Sequence, residues 1–153
     1  RDLHSFPTRR SSDLSFGVIV AESFDYEIID KAYRPYGNLS LLVSLQSSGT
    51  IEKKVIASVT ESLKADFQFA EDWARLVEIF KAPTLQMVTF TITEKGYSVA
   101  PADLERGLTP VFAMGKLTAL LLERFNAGQL PLTLQSTDNC SHNGDKVKAG
   151  VLA

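Results

Sequence analysis

A strand, a polar loop and the start of a helix follow one another near the end of this sequence. Apolar residues alternate with other residues over 130–134, which is the period of a strand, mostly polar residues follow at 136–144, and a helix pattern begins within 145–152. In open α/β sheets, ligands bind in the crevice beyond the C-terminal ends of the strands. The pattern therefore predicts that Asp138 and Asn139 are presented at such an edge. The spacing also fits an ordinary turn in which both side chains bond their own backbone.

Upstream of this segment, strand patterns alternate with helix patterns. The successive segments are a continuous apolar strand at 16–21, a short helix at 26–33 with Asp25 as its N-cap, a candidate hairpin of 39–45 with 50–59, an ambiguous stretch at 60–64, a helix at 70–80, a strand at 87–92, a short helical turn at 103–107, and a long helix at 114–125 that ends at Gly128. Strands that alternate with helices argue for a mainly parallel sheet with helices on its faces.

Charge and cysteine content exclude several classes of protein. The net charge of −2 gives no reason to expect a nucleic-acid partner or an acidic membrane surface. No apolar run approaches the roughly 18 residues that a membrane span requires. The single cysteine, Cys140, allows no intrachain disulfide, which fits a reducing compartment. We therefore expect a cytoplasmic protein.

Metal binding and cysteine catalysis are not expected either. Cys140 and His142 stand two residues apart, and no second pair of His or Cys residues accompanies them outside the first residues of the chain. A zinc site needs three or four such ligands. Nucleophilic catalysis by Cys140 needs a base, and only His142 offers one.

The head of the chain differs in kind from the rest. The segment from His4 to Leu14 matches the translation of a common short-read sequencing adapter, read in its second frame. We interpret residues 1–14 as a translated adapter scar that is not native, and residues 15–153 as the protein itself. The alternative is a natural disordered arm that contains a few arginines.

Two loops that follow predicted strands carry the candidate site residues. Thr93, Glu94 and Tyr97 follow the strand at 87–92. Asp138, Asn139, His142 and Asn143 follow the later strand. Adjacent loops of a doubly wound sheet can face one crevice. We therefore predict that these two loops form a single site.

Glu22, at the end of the first predicted strand, bears on the choice of cofactor. In nucleotide-binding sheets an acid at such a position accepts hydrogen bonds from the adenosine ribose hydroxyls, which favours NAD over its 2′-phosphorylated form. The alternative for Glu22 is a solvated acid at the entry to a helix. No G-x-G-x-x-G or Walker sequence occurs in the chain, so the usual phosphate-binding signature is missing.

Several motifs together resemble one family. The stretches that carry the resemblance are MVTFTITEKGY at 87–97, STDNCSHNG at 136–144, the helix and strand at 115–135, and YRPYGNL at 33–39. They are similar to the mannitol dehydrogenase family, the polyol-specific long-chain dehydrogenases that include mannitol 2-dehydrogenases and hexuronate reductases such as fructuronate and tagaturonate reductase. The resemblance covers nearly all of residues 15–153.

The resemblance implies a function and a set of site residues. It implies a Rossmann domain that transfers hydride between NAD and a sugar alcohol or sugar acid, without a metal and with NADP less favoured. By this resemblance Asn139, beside Asp138 in the catalytic pair, helps to polarise the reacting oxygen, as half of an oxyanion hole does. Thr93 and Glu94 match the loop beside the nicotinamide, and Glu22 falls near the cofactor-selecting position.

The resemblance also implies that parts of the family pattern are absent. The family's lysine base lies in a C-terminal helical domain, and neither that domain nor the glycine-rich first turn is in this sequence. We therefore expect an α/β fold with an incomplete Rossmann-type, doubly wound, mainly parallel sheet that lacks its first strand. Residues 15–153 would be a partial dinucleotide-binding domain without activity of its own. A missing first strand leaves sheet edges unpaired, which predicts poor solubility or a gap between the strands at 16–21 and 87–92.

Two other classes of function stay open at this point. One is a different Rossmann enzyme that uses NADP or a sugar nucleotide, and the other is a non-catalytic α/β binding module. Within the family, mannitol and fructose or mannonate and fructuronate fit equally well. The expected partner is thus a small sugar alcohol or sugar acid, with no nucleic acid and no membrane, and no oligomeric state is predicted.

Overall fold

In the described part of the chain, the strands occur in three pairs, two parallel and one antiparallel. The computed structural model describes residues 17–106 and 109–153, so the segment 1–14, Phe16 and Gly107 lie outside the described residues. The mixed α/β class with mainly parallel strands is confirmed. The described chain forms two units, one up to Lys64 and the other from Ala65 to Ala153.

The first unit contains four strands and one helical segment. Their bounds are β1 Val18–Glu22, α1 Tyr26–Ile28, a π-helical turn Ile29–Tyr33, a 3₁₀ turn Arg34–Tyr36, β2 Ser40–Leu45, β3 Ile51–Ile56 and β4 Val59–Lys64. The predicted helix at 26–33 is confirmed. Asp25 occupies its N-cap position, but the Asp25 side chain makes no capping hydrogen bond.

The predicted hairpin is confirmed as β2 paired antiparallel with β3, and its turn contains Gly49 at φ 85°. Gly49 suits this conformation because it lacks a Cβ atom. One face of the hairpin is apolar and largely exposed. This face carries Leu41, Val43, Leu45, Ile51 and Val55.

β4 is the element that the sequence pattern left ambiguous. The predicted strand at 50–59 ends early at Ile56, and the chain re-forms a strand that pairs parallel with β1. β4 is mostly polar, yet Ser62 is only 5% exposed. Polar groups satisfy it: the Ser62 hydroxyl donates to Asn38 Oδ1 at 2.7 Å, and the Ser62 carbonyl accepts from Arg34 at 3.1 Å. Tertiary pairing, rather than apolar periodicity, therefore defines this strand.

The second unit contains two strands and the longer helices. Their bounds are α2 Ala70–Lys81, β5 Met87–Phe90, a 3₁₀ turn Glu94–Tyr97, α3 Pro101–Arg106, α4 Ala113–Asn126, β6 Thr133–Ser136 and α5 Asn143–Leu152. The predicted helices at 70–80 and 114–125 are confirmed, and Gly128 at φ 136° follows the end of α4. No helix in the described ranges is long and apolar enough to cross a membrane.

β5 and β6 are both shorter than their apolar patterns, for an identifiable reason. β5 ends at Phe90 because the Ile92 N–H donates to the Asp138 carboxylate instead of to a neighbouring strand. β6 begins only at Thr133, since the carbonyls of Leu130 and Pro131 accept hydrogen bonds from Arg124. Side chains therefore take the backbone groups that would otherwise extend the ladder.

The placement of the predicted missing strand stays a prediction. In the described residues β1 pairs with β4 in the first unit, and β5 pairs with β6 in the second.

Helix α5 begins two residues earlier than the pattern at Asp145 indicated. It starts at Asn143, directly after His142, which adopts the left-handed conformation at φ 57°.

Candidate functional site

Parallel pairing of β5 and β6 brings the two candidate loops to one edge of the sheet. The register pairs Met87 with Thr133 and Phe90 with Ser136, so both strands end at the same level. Just beyond them, the Thr137 N–H donates to the Phe90 carbonyl at 3.0 Å. The loops that follow Phe90 and Ser136 are therefore neighbours.

The Asp138 carboxylate is turned toward the other loop and held there. Both of its oxygens accept from the Ile92 backbone N–H at 3.0 Å, and the Tyr97 hydroxyl donates to Oδ2. The Ile92 hydrogen bond, and then the Tyr97 hydroxyl, hold the pKa of Asp138 below its usual range. Asp138 is therefore an ionised anchor between the loops.

Tyr97 is the buried partner of this anchor. It is only 5% exposed. Its hydroxyl lies 2.5 Å from Ser136 Oγ as well as against Asp138. Burial, followed by the hydrogen bond to Asp138, raises the pKa of Tyr97, so the phenol stays protonated and can donate at neutral pH.

Asn139 differs from its neighbour because its side chain is exposed. None of the hydrogen bonds found among the described residues uses the Asn139 amide. The backbone just before it is held, since Asn143 Nδ2 donates to the Asp138 carbonyl at 3.0 Å. The structure thus presents a free amide on a fixed piece of chain.

Thr93 and Glu94 lie on the neighbouring loop with exposed side chains. Glu94 Oε1 accepts from Lys146 Nζ in the first turns of α5 at 2.6 Å, and the Glu94 side chain remains 74% exposed. The bond to Lys146 lowers the pKa of Glu94, and the same bond raises the pKa of Lys146. This ion pair connects the loop after β5 to helix α5.

Glu22 is the last residue of β1 and belongs to the first unit. Its Oε1 accepts the backbone N–H groups of Ser23, Phe24 and Asp25 at 2.9, 3.1 and 3.4 Å. The carboxylate therefore closes the turn that follows β1, while these bonds leave Oε2 unused.

The remaining polar residues of the site form no metal centre. His142 Nδ1 lies 3.4 Å from Asp145 Oδ2, and both side chains are more than 80% exposed. Cys140 is a free, half-buried thiol. Across the described ranges no three His, Cys, Asp or Glu side chains come together in a way that could hold a metal ion.

The sequence predicts the two loops and places Tyr97 in one of them, but it does not predict that Tyr97 joins the loops. The resemblance identified Asn139, Thr93 and Glu94, and the structure gathers these three at the end of the β5–β6 pair. It gave Tyr97 no role, because a tyrosine in a polar loop gives no signal of burial. The hydroxyl residues Ser136 and Thr137 directly before Asp138 are the one local hint of a hydrogen-bond network.

The chain is similar to several proteins, of which it spans about a third or less. No protein-family model matches it. It is 47% identical over 146 residues to D-mannonate oxidoreductase of Thermotoga maritima, which covers 88% of this chain and 27% of that protein. It is 28% identical over 156 residues to mannitol 2-dehydrogenase of Cereibacter sphaeroides, with 87% and 32% covered.

A solved structure agrees with these relatives. The ternary complex of Pseudomonas fluorescens mannitol 2-dehydrogenase with NAD and D-mannitol superposes with a TM-score of 0.71 and 27% identity, covering 92% of this chain and 30% of that one. The substrate-free form of D-sorbitol dehydrogenase has a TM-score of 0.70 at 22% identity, which shows a shared fold.

Proposed function

Because this chain belongs to the mannitol dehydrogenase family, we propose that it is the dinucleotide-binding part of an NAD-dependent oxidoreductase. The whole protein would transfer hydride between NAD and a sugar alcohol or sugar acid. The relative at 47% identity is a D-mannonate oxidoreductase, so D-mannonate and its oxidised partner fructuronate are the first substrates to test. Mannitol and fructose are the second.

The observation that carries this proposal is the free amide of Asn139 at the shared edge of β5 and β6. An amide N–H donor held at a fixed position can stabilise negative charge that develops on a reacting oxygen. The Asp138 carboxylate and the Asp138 carbonyl are both occupied by hydrogen bonds. Asn139 is therefore proposed to contact the substrate oxygen, and Asp138 to position it.

The residues present fit NAD in two respects. The free Oε2 of Glu22 could accept hydrogen bonds from the adenosine ribose, and its negative charge opposes a 2′-phosphate. Thr93 and Glu94 offer exposed polar groups for the nicotinamide side of the cofactor. When bound, NAD supplies the hydride acceptor, and the residues of this chain would orient it and the substrate oxygen.

The decisive experiment compares Asn139→Ala with Asn126→Ala in the full-length protein. Both positions carry exposed asparagines, but Asn126 ends α4 and has no proposed role. We expect Asn139→Ala to lower kcat for D-mannonate oxidation by about 100-fold or more, as loss of an oxyanion donor does, and Asn126→Ala to leave kcat unchanged. Equal activity in the two variants would contradict the role of Asn139.

Two outcomes with the wild-type protein would favour the alternatives. A higher kcat/KM with NADP than with NAD would favour a different Rossmann enzyme, because Glu22 should repel the 2′-phosphate. Binding of a sugar acid without turnover, with either cofactor, would favour a binding module.

A further inference from the structure

A buried tyrosine hydroxyl joins the two loops of the site. We propose that Tyr97 is a positioning residue that sets the direction of the Asn139 amide, an inference that rests on the proposed function of Asn139. Tyr97 itself touches neither substrate nor cofactor in this proposal. It would act only through the Asp138–Asn139 backbone.

Tyr97, Ser136 and Asp138 form a closed circuit of hydrogen bonds, which the bond from Ser136 Oγ to Asp138 Oδ2 at 3.4 Å completes. The Tyr97 hydroxyl contacts the Asp138 carboxylate and lies 2.5 Å from Ser136 Oγ. The Asp138 carboxylate in turn accepts from the Ile92 N–H at 3.0 Å. The circuit therefore links the end of β5, the 3₁₀ turn and the end of β6 around one phenol that is 5% exposed.

Hydrogen bonds hold the backbone on either side of Asp138. Before it, Thr137 binds the Phe90 carbonyl through both its N–H at 3.0 Å and its hydroxyl at 3.1 Å. After it, Asn143 Nδ2 holds the Asp138 carbonyl at 3.0 Å. Asn139 is the first residue beyond this held segment, so the position of its backbone depends on how Asp138 is held.

The packing of Tyr97 uses its ring and its main chain, not its hydroxyl. The Tyr97 ring lies 6.4 Å from that of Phe90, centroid to centroid. An added Cβ at Gly150 would meet the Tyr97 carbonyl at 3.0 Å, so α5 packs directly on the Tyr97 backbone. These contacts use the ring and the main chain, which Tyr97→Phe retains.

The expected effect follows from the geometry that a donor requires. A misplacement of about 1 Å at a reacting centre can cost on the order of 100-fold in rate. Without its Tyr97 donor, the Asp138 carboxylate keeps the Ile92 N–H at 3.0 Å and the longer bond from Ser136 Oγ at 3.4 Å. In this proposal the loss of the Tyr97 bond lets the Asp138–Asn139 segment shift. We expect Tyr97→Phe to lower kcat by about 10- to 100-fold and to change the KM for NAD by less than about twofold.

The test is a double-mutant cycle in the full-length protein with D-mannonate and NAD. A residue that acts through another shows no further effect once that residue is gone. Tyr97→Phe should therefore lower kcat in the wild-type background and leave it unchanged in the Asn139→Ala background. Tyr36→Phe, which removes a hydroxyl from a side chain that is 64% exposed, is the matched control and should change neither.

The kinetic results can overturn the positioning role of Tyr97 in two ways. An unchanged kcat in Tyr97→Phe contradicts it, and so does an equal loss of kcat in both backgrounds. If the wild-type protein oxidises no sugar alcohol or sugar acid, the proposed function fails, and hydrogen exchange of the peptide 136–143 then tests the positioning by itself. Faster exchange in Tyr97→Phe than in Tyr36→Phe would support the loop-fixing role, and equal exchange would overturn it.

Discussion

Arg124 shows how a single charged side chain can organise several backbone segments. It is 3% exposed and donates to five carbonyl oxygens, at distances from 2.6 to 2.9 Å. These carbonyls belong to Phe80, Ala82, Leu85, Leu130 and Pro131. The guanidinium therefore joins the end of α2 to the segments that lead into β5 and β6, and it fixes the strand pair that carries the candidate site.

We predict that Arg124→Met destabilises the protein by about 3 kcal/mol or more, because each buried carbonyl left without a donor costs about 1–3 kcal/mol. Chemical unfolding can be followed by the fluorescence of Trp73, the single tryptophan, which stacks on Phe67 at 3.9 Å. Arg75→Met is the control, since Arg75 pairs with Glu78 on the surface of the same unit, and exposed pairs contribute about 1 kcal/mol or less. Equal losses in the two variants would contradict the role of Arg124.

For single residues, the sequence predicts the roles of exposed site residues better than those of buried polar residues. Asn139 and Glu94 belong to motifs that a resemblance can identify, and both side chains are exposed. Arg124 reads as one more charge on an amphipathic helix, and Tyr97 as a loop residue. Most of their partners, such as Asp138 for Tyr97 and the Phe80 carbonyl for Arg124, are about 40 positions away, so no local pattern reveals these contacts.

The helices and strands that could be predicted are those that their own local sequence stabilises. α2, α4 and the β2–β3 hairpin carry their own apolar periodicity or turn residues, and all three are confirmed. β4 is stabilised by its parallel partner β1 and by side chains that satisfy Ser62. Its own sequence carries too few apolar residues to mark it as a strand.

Helix α5 offers a matched pair of glycines with opposite surroundings. An added Cβ at Gly144 has no neighbour within 4 Å, whereas at Gly150 it meets the Tyr97 carbonyl at 3.0 Å and Met114 Sδ at 3.2 Å. We predict that Gly144→Ala stabilises the protein by about 0.5 kcal/mol, because alanine restricts the unfolded chain. Gly150→Ala should destabilise it by about 1 kcal/mol, since overpacking outweighs the helix propensity of alanine.

Thermal and chemical unfolding of the two glycine variants measure this difference directly. Circular dichroism should show the same helix content in both, because neither position has a positive φ. A stabilised Gly150→Ala variant would show that α5 can move away from Tyr97, and the close packing assigned to this helix would then be wrong.

The stability that Asp138 and Tyr97 contribute should depend on pH, and the shifts of their pKa values give the direction. The folded protein lowers the pKa of Asp138, so the stability from this group is present above the unfolded value of about 3.9 and is lost as the pH falls through the folded value. The pKa of Tyr97 is raised, so its contribution is present below about 10 and is lost as the pH rises through the folded value.

Variants at the two positions test this pH dependence. The stability difference between wild type and Asp138→Asn should be constant near neutral pH and should shrink in acid. The difference between wild type and Tyr97→Phe should shrink in strong alkali. Unfolding midpoints measured across the pH range give both curves, and a difference that does not vary with pH would show that the circuit does not depend on these charges.

For the whole molecule, family membership and activity rest on different parts of the protein. The motifs at the ends of β5 and β6, together with the stretches at 33–39 and 115–135, resemble the family, and the comparisons confirm that resemblance. The chain nevertheless spans 27% of the length of the mannonate oxidoreductase. The oxyanion donor proposed here lies within the chain, while the resemblance places the proton-transferring lysine in a separate helical domain.

We therefore predict that the 153-residue chain alone gives no measurable turnover of D-mannonate with NAD, while the full-length protein does. Our proposal assigns this chain an oxyanion donor but no base, and general acid–base catalysis contributes about 100- to 10,000-fold. Steady-state assays of both proteins at equal concentration make the comparison, with Asn139→Ala in the full-length protein as the reference for loss of the donor alone. Turnover by the chain alone, abolished by Asn139→Ala, would show that residues of this chain supply the base.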